Sequence, residues 1–576
     1  MDAHSLALIS TLLLVFSAAI LGGTIAKMLK QPTLLGYIAA GVLFGNLFPR
    51  ITDPDFLKGI GEVGVTLLLF TLGIEFSFHR LKKLMGTLPW AAIAQIVLCI
   101  FLFLLFSMFL GFPFLAALVI AIAGSLSSTA VVVKILAERG ELETAPGEVM
   151  TGWLVLQDLA VVPIMIILPS IIGATSTGDI SAVSLAASLF LGFLKAAVAL
   201  VLIIFLGKNV VPKALGKVAT MGNREIFMLV TVGLVFLSAM TTYVLGLSAA
   251  LGAFVAGLLI SETSQNHAIF AEVRPLRDLF VVVFFVSIGM AIPGNYLLRS
   301  AGILAILTVA ILGIKWFVVM GLMRFMGYHR KTSFLVAVGL VPMSEFGFII
   351  ASQGWVLGAL TQDQYILVVA LTFLTILIST PFMSRGHSLY YGVHGWMDTY
   401  LPKFFHTSRE APDSKEELPY RDHVVLCGYG RVGKYIGRAL EMARIPFVVV
   451  DYNNAAIAAL KVKGIPVVYG DPADKNVLDF AQVDYAKAII IAIPDRHTQE
   501  LVIGHAQTLN RRIKIICRTH HEEDQQHLKS LGVDAVVQPE FEAALSIVER
   551  LLPSFGVADS DVAGKISRLK IEHGAG

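Results

Sequence analysis

The sequence predicts a polytopic α-helical membrane domain followed by a doubly wound, Rossmann-like α/β domain. Three observations carry this prediction. The 576 residues are 56% hydrophobic and only 15% charged, against about 25% charged in soluble domains. Apolar stretches long enough to cross a bilayer follow one another up to about Ser384 and then stop. From His423 the texture changes to short β-branched runs alternating with helical stretches. The expected boundaries are 1–384 for the membrane domain, 385–420 for a linker containing HTSREAPDSKEELPY, 421–553 for the α/β domain, and 554–576 for a loosely held tail. The net charge of +3 says little about partners, and no feature points to nucleic acid. Cys99, Cys427 and Cys517 are too few and too scattered for a disulfide framework or a zinc site, so no metal cofactor is expected.

Hydropathy places membrane spans at about 6–26, 33–47, 59–77, 88–110, 113–137, 148–171, 183–206, 225–243, 247–261, 269–291, 297–323, 332–355 and 364–383, about thirteen helices in all. Met1 to Ser5 lack a basic leader, and Leu6–Ala26 is long enough to span, so it is read as a retained first helix. Basic residues test the count. One set of alternate loops holds Lys27, Lys30, Arg80, Lys82, Lys83, Lys134, Arg139, Lys208, Lys213, Lys217, Arg224, Arg274, Arg277, Arg324, Arg330 and Lys331; the other holds little beyond Arg50, Lys58 and Arg299. Cytoplasmic loops carry the basic excess. An odd number of spans then leaves the N-terminus outside and the C-terminal half in the cytoplasm.

The apolar stretch GWLVLQDLAVVPIMII carries Asp158 near its middle, with Gln157 beside it. A carboxylate at that depth costs about 2.5 kcal/mol or more, and such residues usually mark an ion or proton path. Lys315, inside ILGIKWFVVM, is the natural countercharge, so that a cation displacing it from Asp158 would be coupled to proton release. Two further spans are interrupted. AGSLSSTAVVVK places Gly124, Ser127, Ser128 and Thr129 inside one, and GLVPMSEFGFIIASQG places Pro342, Ser344, Glu345 and Gly347 inside another. Irregular backbone at membrane depth must line a cavity or be buried in protein, and paired interruptions in two halves suggest transporter inverted repeats whose half-helix ends coordinate an ion. Glu75 and Glu262, near helix ends, are read as structural or as part of the same path; Lys195 is read as snorkelling to an interface.

In the α/β domain, VVLCGYGRVGKYIG runs from a β-branched strand into a helix and holds Gly428, Gly430 and Gly433 in the G-x-G-x-x-G spacing, with Asp451 ending the next strand. That context is the dinucleotide fingerprint. The loop Gly428–Tyr429–Gly430–Arg431–Val432–Gly433 would bring phosphate oxygens to a helix N-terminus. Arg431 would add positive charge, Asp451 would bond ribose hydroxyls, and Asp471 ends strand three. No catalytic His or substrate domain accompanies the fold, so no enzyme is expected. His520, His521 and His527 read as a solvated helix start.

The stretches SSTAVVVKILAERGEL and LVLQDLAVVPIMIILP, with FVAGLLISET and its downstream His267, PLRDLFVVVFFVSIGM and the Lys315 span, resemble the core of Kef-type members of the monovalent cation:proton antiporter-2 family. The resemblance covers nearly the whole membrane half. It implies a thirteen-helix antiporter fold with two crossed, broken helices, a homodimer in a prokaryotic inner membrane, and exchange of a monovalent cation, K+ rather than Na+, for H+ at Asp158, with Gln157, Ser127, Ser128, Thr129 and Lys315 as site residues. One acid where sodium-selective relatives carry two adjacent acids implies one-for-one exchange. The fingerprint together with VVYGDPAD resembles the TrkA-N domain, the KTN or RCK N-lobe, which implies NAD(H) or AMP as a regulatory ligand rather than a redox cosubstrate. The short loop SETSQNHAIFAEVRPLRD lacks the acidic motif of the glutathione-gated members, so the sequence leaves glutathione control open. Competing readings are a ligand-gated cation channel, an Na+/H+ antiporter and, remotely, a membrane-anchored NAD-linked oxidoreductase.

Overall fold

The structure is a computed structural model that describes residues 3–29, 31–48, 54–75, 88–142, 144–176, 224–244, 249–261, 266–290, 292–400, 421–519 and 522–572. The expected span at 183–206, together with Lys195, Glu262, His520 and His521, lies outside the described residues. The other twelve expected spans coincide with helices: α1 (Ala3–Met28), α2 (Thr33–Leu47), α3 (Pro54–Glu75), α4 (Leu88–Phe109), α5 (Phe114–Ser125) with α6 (Thr129–Glu138), α7 (Ala145–Ser176), α8 (Arg224–Val244), α9 (Ala249–Ser261), α10 (Asn266–Met290), the short α11 (Gly294–Arg299) leading into α12 (Ala301–Phe325), α13 (Arg330–Gly339) with α14 (Phe346–Val356), and α15 (Gln362–Ser384). Six helices among the described residues are long and apolar enough to cross a membrane by length and composition. The two interrupted spans are broken into α5/α6 and α13/α14, at Leu126–Ser128 and Leu340–Glu345.

The chain divides into two compact units. The first comprises Met1–Val131, Gly152–Val318 and Leu340–Pro381. In it, α1, α2, α3, α9 and α10 pack backbone against backbone. A Cβ at Gly22 would lie 2.1 Å from the Gly36 carbonyl oxygen, and one at Gly257 would lie 2.0 Å from that of Phe70. In an apolar medium helices associate through such close packing of small residues. A separate apolar cluster joins α4, α5, α7, α12, α14 and α15 through Phe103, Val119, Val161, Ile311, Ile350 and Leu371.

The second unit comprises Val132–Thr151, Val319–Gly339 and Phe382–Gly576. Its centre is a six-stranded parallel sheet of order β3-β2-β1-β4-β5-β6, built from β1 (Val424–Cys427), β2 (Phe447–Asp451), β3 (Val467–Tyr469), β4 (Ala488–Ile491), β5 (Lys514–Arg518) and β6 (Ala535–Val537). Strands β1 and β2 are apolar on both faces because helices cover both sides of a parallel sheet. The strand order reverses between β1 and β4, where ligands of doubly wound folds bind. Two regions differ from the sequence expectation. The stretch assigned to a linker begins with a helix, α16 (Gly386–Tyr400), fixed by Tyr390 packing on Phe334, 5.6 Å between ring centroids. The segment read as a loose tail holds helix α17 (Asp559–Glu572), which buries Val562.

Candidate functional site

In the first unit the two breaks meet. Ser127 and Met343 form an isolated antiparallel bridge. Ser344 N donates to the Leu126 carbonyl at 3.2 Å, and the Ser127 hydroxyl donates to the Leu340 carbonyl at 2.7 Å. The extended backbone of each break thus supplies partners for the other, as apolar surroundings require. Side chains complete the pairing. Gln157 Oε1 accepts from Ser127 N at 3.0 Å, and its amide donates to Gln95 Oε1. Gln95 in turn donates to the Ser125 carbonyl at 2.9 Å, and Met343 N donates to the Thr375 hydroxyl at 3.2 Å.

The carboxylates lie at the same crossing. Thr129, the first residue of α6, donates its hydroxyl to Asp158 Oδ2 at 2.8 Å. Ser128 donates to Glu345 Oε2 at 3.0 Å. Consecutive hydroxyls therefore serve the two acids, one from each half. Asp158 is 7% exposed. The positive end of a helix macrodipole favours an anion, and the start of α6 offers that end to Asp158. The structure brings together Ser127, Ser128, Thr129, Gln157, Asp158 and Glu345. It corrects the expected ion pair between Lys315 and Asp158, which is absent from the ion pairs among the described residues. Lys315 Nζ instead donates to the carbonyls of Leu126 at 2.7 Å and Pro342 at 3.0 Å. Those carbonyls sit just past the C-terminal ends of α5 and α13, where a cation is favoured. The coupling of ion entry to release of Lys315 therefore has no support in this geometry. Gln95 and Thr375 were not singled out from sequence; a lone amide in the apolar run of α4 was the available signal.

In the second unit, β1 ends in the glycine turn. Gly428 has φ +91°, a left-handed conformation that glycine adopts without strain. A Cβ at Gly433 would lie 2.1 Å from the Gly428 carbonyl oxygen, whereas Gly430 faces open space. The helix that follows, Arg431–Met442, opens onto a cleft lined by Gly428, Tyr429, Gly430, Arg431, Asp451 and Arg518, among others. Asp451 Oδ2 accepts from Tyr429 N at 2.6 Å and Oδ1 from Asn453 N at 2.8 Å, so the acid shapes the turn as well as lining the cleft. Burial pushes its carboxyl up, opposed by these amides and that of Tyr452. Arg518, at the end of β5, was missed in the sequence; its Nε has no hydrogen-bond partner among the described residues. Val432 is not part of the lining, and neither is Asp471, although the neighbouring Pro472 is.

Asp471 belongs instead to a buried latch. Lys331, fully buried at the start of α13, pairs with Asp471 Oδ2 at 3.2 Å and donates to the Thr498 hydroxyl at 3.0 Å and to Tyr391. Tyr391, on α16, donates to Asp471 Oδ2 at 2.7 Å. His329 stacks on Tyr452, 5.3 Å between centroids. Burial pushes the Asp471 carboxyl up, but Lys331, His329 and Tyr391 outweigh it and hold it below the usual range. A second group adjoins. Asp495 pairs with Arg139 at 3.2 Å and with His387 at 3.3 Å, and Glu141 pairs with Arg139 at 2.9 Å and with His387 at 3.5 Å. Asp495 is pushed up by burial but brought down to about 2 by His387, Thr498 and Lys331. His527, read as solvated, faces Glu500 at 2.8 Å.

Crossed broken helices with a carboxylate at their junction, joined to a fingerprint-bearing α/β domain, define a membrane ion exchanger with a nucleotide-binding domain. Residues 15–385 match the family described as sodium/hydrogen exchanger, transmembrane, and residues 424–539 match the TrkA-N domain. The chain belongs to that exchanger family. It is 30% identical over 557 residues, 95% of its length and 98% of the relative's, to the putative cation/proton antiporter YbaL of Escherichia coli K12. It is 31% identical over 561 residues, 97% of its length and 86% of the relative's, to the glutathione-regulated potassium-efflux system protein KefC of Escherichia fergusonii. The sodium proton antiporter MjNhaP1 of Methanocaldococcus jannaschii shares the fold, with a TM-score of 0.50 and 15% identity over 69% of this chain and 99% of that one.

Proposed function

We propose that this protein exchanges K+ for H+ at Asp158, one for one, under control of an adenine nucleotide bound at the Gly428–Gly433 turn. The observation that carries the exchange reading is the crossing itself: Asp158 and Glu345 each take a hydroxyl from the same break, beside two paired half-helix ends. Such a carboxylate holds a proton or a cation in alternation. Thr129 positions Asp158, Ser128 positions Glu345, Gln157 fastens the break, and Lys315 serves the two carbonyl ends. K+ is favoured over Na+ by the single acid at this position and by the potassium-efflux relative. The ligand reading rests on the open space at Gly430 and on Arg431 and Arg518 in the cleft, which suit phosphate; AMP and NAD(H) share the required adenosine phosphate. Both serve as regulators and neither as a substrate, so the protein acts as a transporter and not as an enzyme. The setting is a prokaryotic inner membrane, with the N-terminus outside, the α/β domain in the cytoplasm, and a homodimer as the working unit.

The test is proton flux in reconstituted vesicles with K+ or Na+ varied in turn. Saturable, stoichiometric proton counterflow driven by K+ supports the reading. Cation flux without proton counterflow would replace it with a channel. Gly430→Asp should abolish AMP binding while leaving nucleotide-free exchange in place.

A further inference from the structure

The cleft at the glycine turn has a wall that the fingerprint does not supply. Gly140, Thr144 and Ala145 line it together with Gly428–Arg431, Asp451 and Arg518. Gly140 and Thr144 belong to the connection between α6 and α7, and Ala145 is the first residue of α7. The connection is fastened in place by charge: Arg139 holds both Glu141 and Asp495, and Arg139 also donates to the Ser384 carbonyl at 2.7 Å. Thr144 then caps α7, its hydroxyl accepting from Gly147 N at 3.2 Å and its carbonyl accepting from Glu148 N at 2.8 Å. Two helices therefore begin at one cleft, one at Arg431 and one at Ala145. Helix N-termini favour phosphate through their amides and the positive end of the dipole. At α7, Pro146 has no N–H and Gly147 N is taken by Thr144, so this helix offers its dipole end and the Ala145 wall rather than a set of free amides.

We propose that the nucleotide cleft is composite, with an adenosine phosphate held between the fingerprint turn and the α6–α7 connection, so that its occupancy bears directly on the start of the helix that carries Asp158. This rests on the nucleotide reading of the fingerprint. Helix α7 runs unbroken from Ala145 through Asp158, 13 residues or about 20 Å at 1.5 Å per residue. A ligand that touches the N-terminal end of α7 binds with an affinity that depends on where that end sits. By reciprocity, its binding biases that position. No separate relay is required, because the sensing wall and the carboxylate share one helix.

The test introduces a reporter on the wall. Cys99, Cys427 and Cys517 are all buried, so Ala145→Cys supplies the accessible thiol in the full-length, detergent-solubilised protein. Its labelling rate with a soluble maleimide is measured against AMP and, separately, NAD, with direct binding of each ligand measured on unmodified protein. The expected result is protection that is half-complete at the ligand concentration giving half-saturation, and that vanishes when Gly430→Asp is added. Ala145→Phe should weaken AMP binding about tenfold or more, while Ala145→Ser leaves it unchanged and shows that the position tolerates substitution. If AMP binds in a Gly430-dependent way but neither protects the thiol of the Ala145→Cys variant nor responds to Ala145→Phe, the composite wall is refuted and the fingerprint site stands. If AMP and NAD fail to bind, or bind equally to Gly430→Asp, the nucleotide reading itself falls and this inference with it. Protection by AMP but not by NAD would assign the cleft to a mononucleotide.

Discussion

Lys315 Nζ lies 2.7 Å from the carbonyl oxygen of Leu126, the first residue beyond α5, and bridges from there to Pro342 in the opposing break. A lone cation thus serves both extended segments. Its hydrogen bonds tie the two breaks together, and among the described residues no ion pair joins it to Asp158.

Replacing Lys315 with Met should cost about 1–3 kcal/mol for each carbonyl left without a donor. The expected outcome is a lower melting temperature in detergent and reduced exchange. A variant that keeps wild-type stability but shifts only cation affinity would return Lys315 to the ion path.

Asp158→Asn should abolish proton-coupled cation flux while leaving the fold in place, because the amide oxygen still accepts from the Thr129 hydroxyl. Asp158→Glu should retain part of the activity with altered cation affinity. The checks are vesicle flux and melting temperature together; persistent exchange in the Asn variant would remove the carboxylate from the cycle.

Lys331→Met strands Asp471 in a buried site, and breaking a buried pair by removing one partner costs about 3–5 kcal/mol. The double variant with Asp471→Leu should recover much of that loss, because the uncompensated charge goes with it. Thermal unfolding of the two variants side by side decides this; equal destabilisation in both would mean that Lys331 acts by shape alone.

His329 gives the second unit a pH dependence. Burial brings its pKa down to about 3, opposed by Asp471 and reinforced by Arg330, Lys331 and Arg324. Near pH 6.5 the unfolded chain takes up a proton that the folded one refuses. Stability is therefore full above that pH and falls as pH drops toward 3, by about 2 kcal/mol at pH 5. The depressed Asp495 carboxyl, by contrast, gives up stability only as pH falls below about 4 toward 2, outside this window. Melting curves at about pH 7.5 and pH 5 should show the drop, and His329→Phe, which keeps the stacking on Tyr452, should remove most of it.

The breaks at Ser127–Ser128 and Pro342–Glu345 and the turn at Gly428–Gly433 were legible because each violates a local rule: hydroxyls and proline in apolar helices, glycines at fixed spacing after a strand. The choice made by Lys315 was not legible. Two buried charges in one hydrophobic domain invite pairing, and only the crossing shows that free helix-end carbonyls compete for the cation. The placement of Asp471 was open in the same way, since a strand end fits a ribose as well as it fits Lys331. Lys331 itself looked like one more cytoplasmic-loop cation. Residues 386–400 fell within the linker because the apolar stretches stop near Ser384, and the partners that hold Tyr390 and Tyr391 lie far away in sequence.

The glycine contacts of the first unit set a mechanical limit. Where Gly22 meets Gly36 and Gly257 meets the Phe70 carbonyl, no side chain lies between the backbones to act as a bearing, and a slide of one helix along the other would drive carbonyl oxygens into α-carbons. Helices seated in this way leave no room for a side chain on the seam, so each newly added methyl group there must push the pair of backbones apart.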